Sequence, residues 1–281
     1  MLKHPHDIEN DLEHTIPPEG GPSSRLLFRA MTERALALVA ARPGERLVDL
    51  GCGMGQDALA LASRLGSGQG ASRGWVLAVE PSSRMIRFGQ GLARAAPGAA
   101  PPVCFLRAFA EGLPLASGCV DGLLCKGALD HFIAPPLTLA EVARVLRPGG
   151  RAVFALANYD SLACRLGRAW DGLKRRVVPG FSPPDHPHYE PPPDHLTRFG
   201  YREIMALAAG PLRMRRVEGI SLLWGFGPWE RLLALLPAPW AEAAARAAAW
   251  PARIFPAWAD VVIVQAMKDS PTPPIPHESR P

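Results

Sequence analysis

Apolar positions along the chain fall alternately at helical and at strand spacing. From Ser23, read as an N-cap, Leu26, Leu27, Met31, Leu36 and Val39 recur on one helical face until Pro43 and Gly44 end the run. RLVDL (46–50) then reads as a strand, GCGMG as a turn, and QDALALASRL as a helix with Leu59, Ala62 and Leu65 on one face. The same alternation predicts a strand at WVLAVE (75–80), a helix from Ser82 toward Ala96, and strands at VCFLRA (103–108) and DGLLCK (121–126). A helix at TLAEVARVL (138–146), a sharp RPGG turn and a strand at RAVFALA (151–157) follow. RMRRVEGI (213–220) and ADVVIVQAM (259–267) supply two late strands. Strands separated by helices imply an α/β fold, a parallel sheet covered on both faces.

Residues 1–22 and 269–281 are polar or punctuated by proline and read as flexible tails around a domain of 23–268. Two inserts interrupt the alternation, at 160–194 and 221–258. In the first, Leu162, Leu166, Trp170 and Leu173 share one helical face, while Arg165, Arg168, Lys174, Arg175 and Arg176 make a basic remainder. Such a helix suits an anionic membrane, a phosphate-bearing substrate, or a solvated basic face over an ordinary core contact. The second carries Trp224, Phe226, Trp229, Trp240, Trp250, Phe255 and Trp258. It reads either as a lid over a large apolar acceptor, its edge in a membrane interface, or as a helical pair packing on itself or across a dimer.

Composition narrows the class. Lys and Arg number 31 against 26 Asp and Glu, a formal +5, with 48% hydrophobic and 20% charged residues, which excludes wholesale disorder and collagen-like repeats. The basic residues are scattered, not gathered into an aromatic-interleaved stripe, so no nucleic-acid partner is expected. The five cysteines (Cys52, Cys104, Cys119, Cys125 and Cys164) include no C-x-x-C pair, which implies reduced thiols and a cytoplasmic location. The first residues form no secretory signal, and no apolar run approaches the roughly 20 residues of a membrane span. A soluble protein is expected, at most peripheral to a membrane.

The chemistry centres on VDLGCGMG. Glycines at 51, 53 and 55 clear the way for a ligand at the carboxyl end of the first strand. Their G-x-G-x-G spacing departs from the G-x-G-x-x-G of dinucleotide sites, which favours a nucleoside without a pyrophosphate and disfavours a nicotinamide-dependent oxidoreductase. Glu80 ends the second strand about 25 residues further on, where a carboxylate accepts hydrogen bonds from a ribose.

With these residues in view, the sequence resembles the class I S-adenosylmethionine-dependent methyltransferases. The likeness is to the small-molecule group that includes ubiquinone and menaquinone C-methyltransferases. It is carried by LVDLGCGMGQDALALA, AVEPSSRMI, AEGLPLASGCVDGLLC and EVARVLRPGGRAVFAL in that order, over roughly residues 24–220. It implies a Rossmann-like doubly wound sheet, mostly parallel with a final antiparallel strand, plus helical inserts. The implied cofactor is S-adenosyl-L-methionine. Gly51 and Gly53 would face its methionine part, with Cys52 and Gly55 in the same loop, and Asp49 would organise the loop and the amino group. Glu80 would hold the ribose, Pro81 and Met85 would flank the adenine, and Ala110 and Glu111 would lie at its edge, with Lys126 completing the set. Phe109 stands where the family usually has an acidic or amide residue. Either its ring packs on the adenine while water or Glu111 holds the amino group, or cofactor affinity is weakened, or the ring turns into the core.

Beyond the fourth strand, CKGALDHF offers His131 as a general base oriented by Asp130, and His195 is a second candidate; each also has a packing alternative. Tyr159, Trp224 and Trp229 are candidate substrate contacts. Asp130, Asn158 and Asp160 match a Mg²⁺ site poorly, and His186, His188 and His195 are separated by prolines, so no metal is expected. The chain lacks the [DNS]-P-P-[FYW] and Pro-Cys signatures of nucleic-acid methylation. The expected function is methylation of a small, hydrophobic acceptor at O, C or N. The alternatives are a non-catalytic adenosyl-ligand-binding module of the same fold and a nicotinamide-dependent oxidoreductase. The oligomeric state stays open.

Overall fold

The computed structural model describes Glu9 and residues 21–65, 74–95, 103–208 and 210–270. The first half runs α1 (Pro22–Val39), β1 (Arg46–Leu50), α2 (Gln56–Leu65), β2 (Trp75–Glu80), α3 (Ser83–Ala95), β3 (Val103–Arg107) and β4 (Val120–Lys126). A 3-10 turn at Leu129–His131 leads to α4 (Pro135–Val145), β5 (Leu146–Ala157), α5 (Leu162–Val177) and α6 (Tyr201–Ala208). β6 (Arg213–Ile220), α7 (Gly227–Ala234), α8 (Ala238–Ile254) and β7 (Val261–Met267) follow.

Among the described residues the strands form one sheet in the order β3-β2-β1-β4-β5-β7-β6. β1 to β5 pair in parallel, whereas β7 runs antiparallel to both β5 and β6. The period-2 alternation of each strand sorts its side chains between two cores. Val48, Leu50, Leu123, Cys125, Phe154 and Val264 face a core completed by Leu139 and Val142 of α4 and Ile204 of α6. Leu47, Leu124, Val153 and Ile263 face the other, filled by Leu27, Met31 and Leu36 of α1 and Leu61 and Leu65 of α2. A sheet covered on both faces is what the near-continuous apolar strands require.

Two local expectations are corrected. α1 starts at Pro22, whose ring suits the first helical turn, and Ser23 makes no cap because its hydroxyl bonds the Glu230 carboxylate of α7. RPGG does not precede a fresh strand: β5 is continuous from Leu146 and takes it up as an irregularity between the Val120–Leu146 and Gly122–Arg151 pairings. The tails expected over 1–22 and 269–281 lie outside the described residues except for Glu9, Gly21, Pro22, Asp269 and Ser270. Glu9 accepts hydrogen bonds from the Ser83 and Arg84 amides, at 3.0 and 3.1 Å, at the start of α3.

Strand order reverses between β1 and β4, which opens a crevice at the carboxyl edge of the sheet. Both inserts lie at this edge, where Leu162 of α5 packs with Ala252 of α8 and with Ala259.

Candidate active site

β1 must turn sharply, because the amides of Gly51 and Cys52 both donate to the Val79 carbonyl of β2, at 2.9 and 3.0 Å. The turn holds Gly51 at φ +71°, and a Cβ there would lie 2.5 Å from the Ala128 Cβ, so only glycine fits. At Gly53 the opposite holds. A Cβ would meet nothing within 4 Å, leaving this backbone facing open space. The Gly53 amide donates to Glu80 Oε2 and the Ser82 amide to Glu80 Oε1, each at 3.0 Å. Each oxygen keeps a further lone pair for a ligand. Burial raises the Glu80 pKa, and the two backbone donors oppose it.

The loop and the strand ends from β2 across to β5 enclose a cavity of about 600 Å³ under the inserts. Gly51, Cys52, Gly53, Glu80, Pro81, Met85, Phe109, Ala110, Glu111 and Lys126 line it, as do Asp130, His131, Tyr159, His195 and Trp224. Phe109 therefore faces the cavity and belongs to neither core. Glu111 Oε1 accepts the Ala134 amide at 3.1 Å, fixing the entry to α4.

Three of the sequence candidates stand outside the wall. Asp49 is buried behind the loop and accepts the Ala58 amide; burial, reinforced by the nearby Asp57 carboxylate, pushes its pKa well up. Gly55 packs on Phe105. Trp229 packs with Leu26, Leu233, Ala241 and Ala245 and not toward the cavity. Lys126 lines the cavity, but its ammonium is already engaged, 2.8 Å from Asp57 Oδ2 and 2.7 Å from Thr32 Oγ1. With Lys126 paired to Asp57, Glu80 is left as the acidic group that the β2 side presents to a guest.

On the β5 side the amides of Leu196 and Thr197 donate to the Asp130 carbonyl at 2.8 and 3.0 Å, which clamps the 3-10 turn to the segment bearing His195. His195 Nδ1 lies 3.1 Å from Asp130 Oδ2 and 3.1 Å from the Tyr159 hydroxyl. The adjacent carboxylate favours the tautomer that carries its proton on Nδ1 and its lone pair on Nε2. Burial lowers the His195 pKa against the pull of Asp130, which favours the neutral ring. His131 stands edge-on to His195, with ring centroids 4.5 Å apart.

The other polar candidates are used locally. Asn158 donates to the Ala257 and Ala259 carbonyls, and Asp160 pairs with Arg198 at 2.8 Å. His186 is exposed, while His188 lines the cavity with Nε2 3.1 Å from the Ala163 carbonyl.

Sequence reasoning missed Phe28 and Met31 of α1 and the carboxylates of Asp194 and Asp260, all in the wall. The α1 residues carry an ordinary core periodicity and give no signal. Asp260 gives one, as an acid within the apolar run ADVVIVQAM. It accepts the Trp224 amide at 3.0 Å, and burial pushes its pKa up to about 7. An acid raised in this way stays protonated in the folded chain while the unfolded chain ionises. Stability therefore falls as pH rises from the ordinary carboxyl range to about 7 and levels off above it. Unfolding free energies from urea titration between pH 4.5 and 7.5 should drop less in Asp260→Asn than in the parent by roughly 1–3 kcal/mol, and an unchanged slope would clear Asp260 of the effect.

Residues 48–154 match the model of a methyltransferase domain. The chain is 32% identical to a ubiquinone/menaquinone biosynthesis C-methyltransferase of Acidiphilium cryptum over 220 residues, covering 77% of this chain and 79% of that one. It is 34% identical over 152 residues to a malonyl-[acyl-carrier protein] O-methyltransferase of Pectobacterium atrosepticum. That match covers 53% of this chain, which spans about half of that relative's length, 54%. Among solved structures, a SAM-dependent methyltransferase from Aquifex aeolicus superposes with a TM-score of 0.53 at 15% identity, covering 89% of this chain and 100% of that one, a likeness of fold.

Proposed function

The chain belongs to the S-adenosylmethionine-dependent methyltransferases, and on that premise we propose that it methylates a small, largely apolar acceptor at an atom that loses a proton. One observation carries the reading: a single cavity is lined both by the glycine loop with Glu80 and by the Asp130–His195–Tyr159 cluster. The cofactor fits the residues present. Open backbone at Gly53, the carboxylate of Glu80, and an apolar slot of Pro81, Met85 and Phe109 suit a cationic nucleoside. When bound, S-adenosyl-L-methionine supplies a methyl group on a positively charged sulfur, ready for in-line displacement.

The chain's own part is alignment and proton removal. Glu80 holds sugar hydroxyls with its free lone pairs, and Phe109 stacks on the base in place of the family's usual polar contact. Phe28, Met31, Phe132 and Trp224 give the remaining wall an apolar character suited to the acceptor. His195 Nε2 takes the acceptor's proton, and Asp130 stabilises the imidazolium that forms. His131 and Tyr159 border the same space.

The helical inserts act as a cover. Leu235 and Trp240 are 83% and 70% exposed, Trp250 and Ile254 are also exposed on α8, and α5 ends on the basic Lys174, Arg175 and Arg176. This surface suits peripheral contact with an anionic lipid interface, from which an apolar acceptor would be drawn. Among the described residues no helix is long and apolar enough to cross a membrane.

Calorimetric titration with S-adenosylmethionine, S-adenosylhomocysteine and NAD should show selective binding of the two adenosyl sulfur compounds. Ligand at 100 times its dissociation constant should stabilise the fold by about 2.7 kcal/mol. Binding of NAD instead would overturn the reading of the loop spacing, and tight cofactor binding without turnover on any acceptor would favour a binding module.

A further inference from the structure

Two features around Asp130 are not accounted for by proton transfer. Its side chain is 5% exposed, and Oδ1 is shut off from solvent with no hydrogen-bond donor. A buried carboxylate oxygen without a partner is costly unless a cation meets it. The second feature is the orientation of His131. Its Nδ1 lies 3.2 Å from the Asp194 carbonyl, and since a carbonyl only accepts, the proton sits on Nδ1. Nε2, which then carries the lone pair, lies 3.9 Å from Asp130 Oδ1. That is too long for a hydrogen bond. It is somewhat longer than the roughly 3.4 Å between two ligands of one tetrahedral ion with bonds of about 2.1 Å, a gap that a small side-chain rotation closes.

We infer that Asp130, His131 and His195 form a binding site for a zinc-class divalent ion. One donor atom from each of the three lies within 4.8 Å of the others, and side-chain rotations of about 1 Å bring them to the roughly 3.4 Å spacing of a tetrahedral set. The Asp194 carbonyl orients the His131 ring, as outer hydrogen bonds orient metal ligands, and the Leu196 and Thr197 amides fix the main chain of Asp130. Two imidazoles with one carboxylate select Zn²⁺, Co²⁺ or Fe²⁺ over Mg²⁺, which prefers oxygen alone. Three protein ligands leave a fourth position for water or an acceptor oxygen, on the cavity side where all three residues stand. For His195 to bind through Nδ1, its proton moves to Nε2 and the ring stays neutral.

This has a functional consequence that rests on the methyltransferase reading, although the binding does not. The ion takes the carboxylate of Asp130 and turns the lone pair of His195 Nε2 into an N–H. Zinc therefore switches off the base and inhibits transfer.

The test uses the full chain, freed of affinity tag and stripped by chelator, titrated with ZnCl₂ and separately with MgCl₂. One Zn²⁺ per chain should bind with micromolar or tighter affinity and Mg²⁺ should not. Asp130→Asn and His131→Ala should each weaken Zn²⁺ by at least about 100-fold. Cobalt substituted for zinc should give a spectrum without thiolate charge transfer, which separates this site from the cysteines. Cofactor affinity, measured on the same samples, reports whether the variants are folded. It also tests the methyltransferase reading independently of the metal. Absence of stoichiometric zinc, or zinc bound equally by both variants, overturns the site. Zinc bound at these residues with no loss of turnover overturns the inhibition.

Discussion

Replacing Glu80 by alanine is expected to weaken binding of S-adenosylmethionine by about 10- to 100-fold, the loss that follows when charge-assisted hydrogen bonds worth roughly 1.5–3 kcal/mol are removed. The carboxylate holds the amides of Gly53 and Ser82 on its two oxygens. Its removal therefore strips the ligand of a partner and frees the loop that cradles it. Glu80→Gln separates these effects. The amide has one acceptor oxygen for two backbone donors, so one bond becomes a donor–donor clash while the side chain's bulk is kept. In the absence of ligand the glutamine variant sheds the burial cost that raises the Glu80 pKa but takes on this clash, so the two effects oppose and its stability at neutral pH should stay close to the parent's. Calorimetry gives the affinity and urea unfolding the stability. Both falling in parallel in the glutamine variant would make Glu80 a strut and not a ligand contact; an unchanged affinity in the alanine variant would remove it from the site.

The place of Glu80 in the cavity wall was legible in the sequence because what sets it is local. The strand ends at a fixed place, the glycine loop lies at a fixed spacing before it, and both sit on one edge of a sheet whose order follows from the alternation of elements. Gly51 is legible for the same reason, since the turn after β1 admits no Cβ. The partnership of His195 with Asp130 was not. It depends on two amides, of Leu196 and Thr197, reaching the Asp130 carbonyl from a proline-rich segment with no periodicity. The sequence pointed to His131 as the residue beside Asp130, yet adjacent side chains diverge, and it is the distant histidine that meets the carboxylate.

The tryptophans show the same limit. Their concentration between 221 and 258 predicted a helical cover, but Trp224 enters the cavity while Trp229 packs between helices. The choice is made by left-handed backbone at Ser221 (φ 63°) and Leu223 (φ 66°), residue types that do not announce it. That strain is held in place by the Trp224 amide on Asp260 and its indole on Ser24, each at 3.0 Å. Which insert residues touch a ligand is thus decided by tertiary bonds, and no count of aromatics could have shown it.

The larger loss is expected at His195. Its replacement by alanine should lower turnover by about 10²- to 10⁴-fold, the usual contribution of a positioned base, and leave cofactor affinity within about twofold. The asymmetry follows from position: His195 stands on the β5 side of the cavity, while the residues proposed to hold the cofactor lie on β2 and the glycine loop. Turnover is read as release of S-adenosylhomocysteine, with an acceptor chosen from a panel of apolar phenols, enols and carboxylic acids. The pH profile supplies a readout that a packing role would not move. A base works only when neutral, and burial holds the His195 pKa below the ordinary imidazole value. The acid limb of the parent should therefore lie below that value, and it should vanish from the residual activity of His195→Ala. Asp130→Asn keeps the backbone clamp but not the negative charge that steadies the imidazolium, so it should cost less than loss of the ring and more than Tyr159→Phe, which removes only a hydroxyl. An acid limb that survives His195→Ala would assign the proton to another group, with His131 the nearest in the same wall.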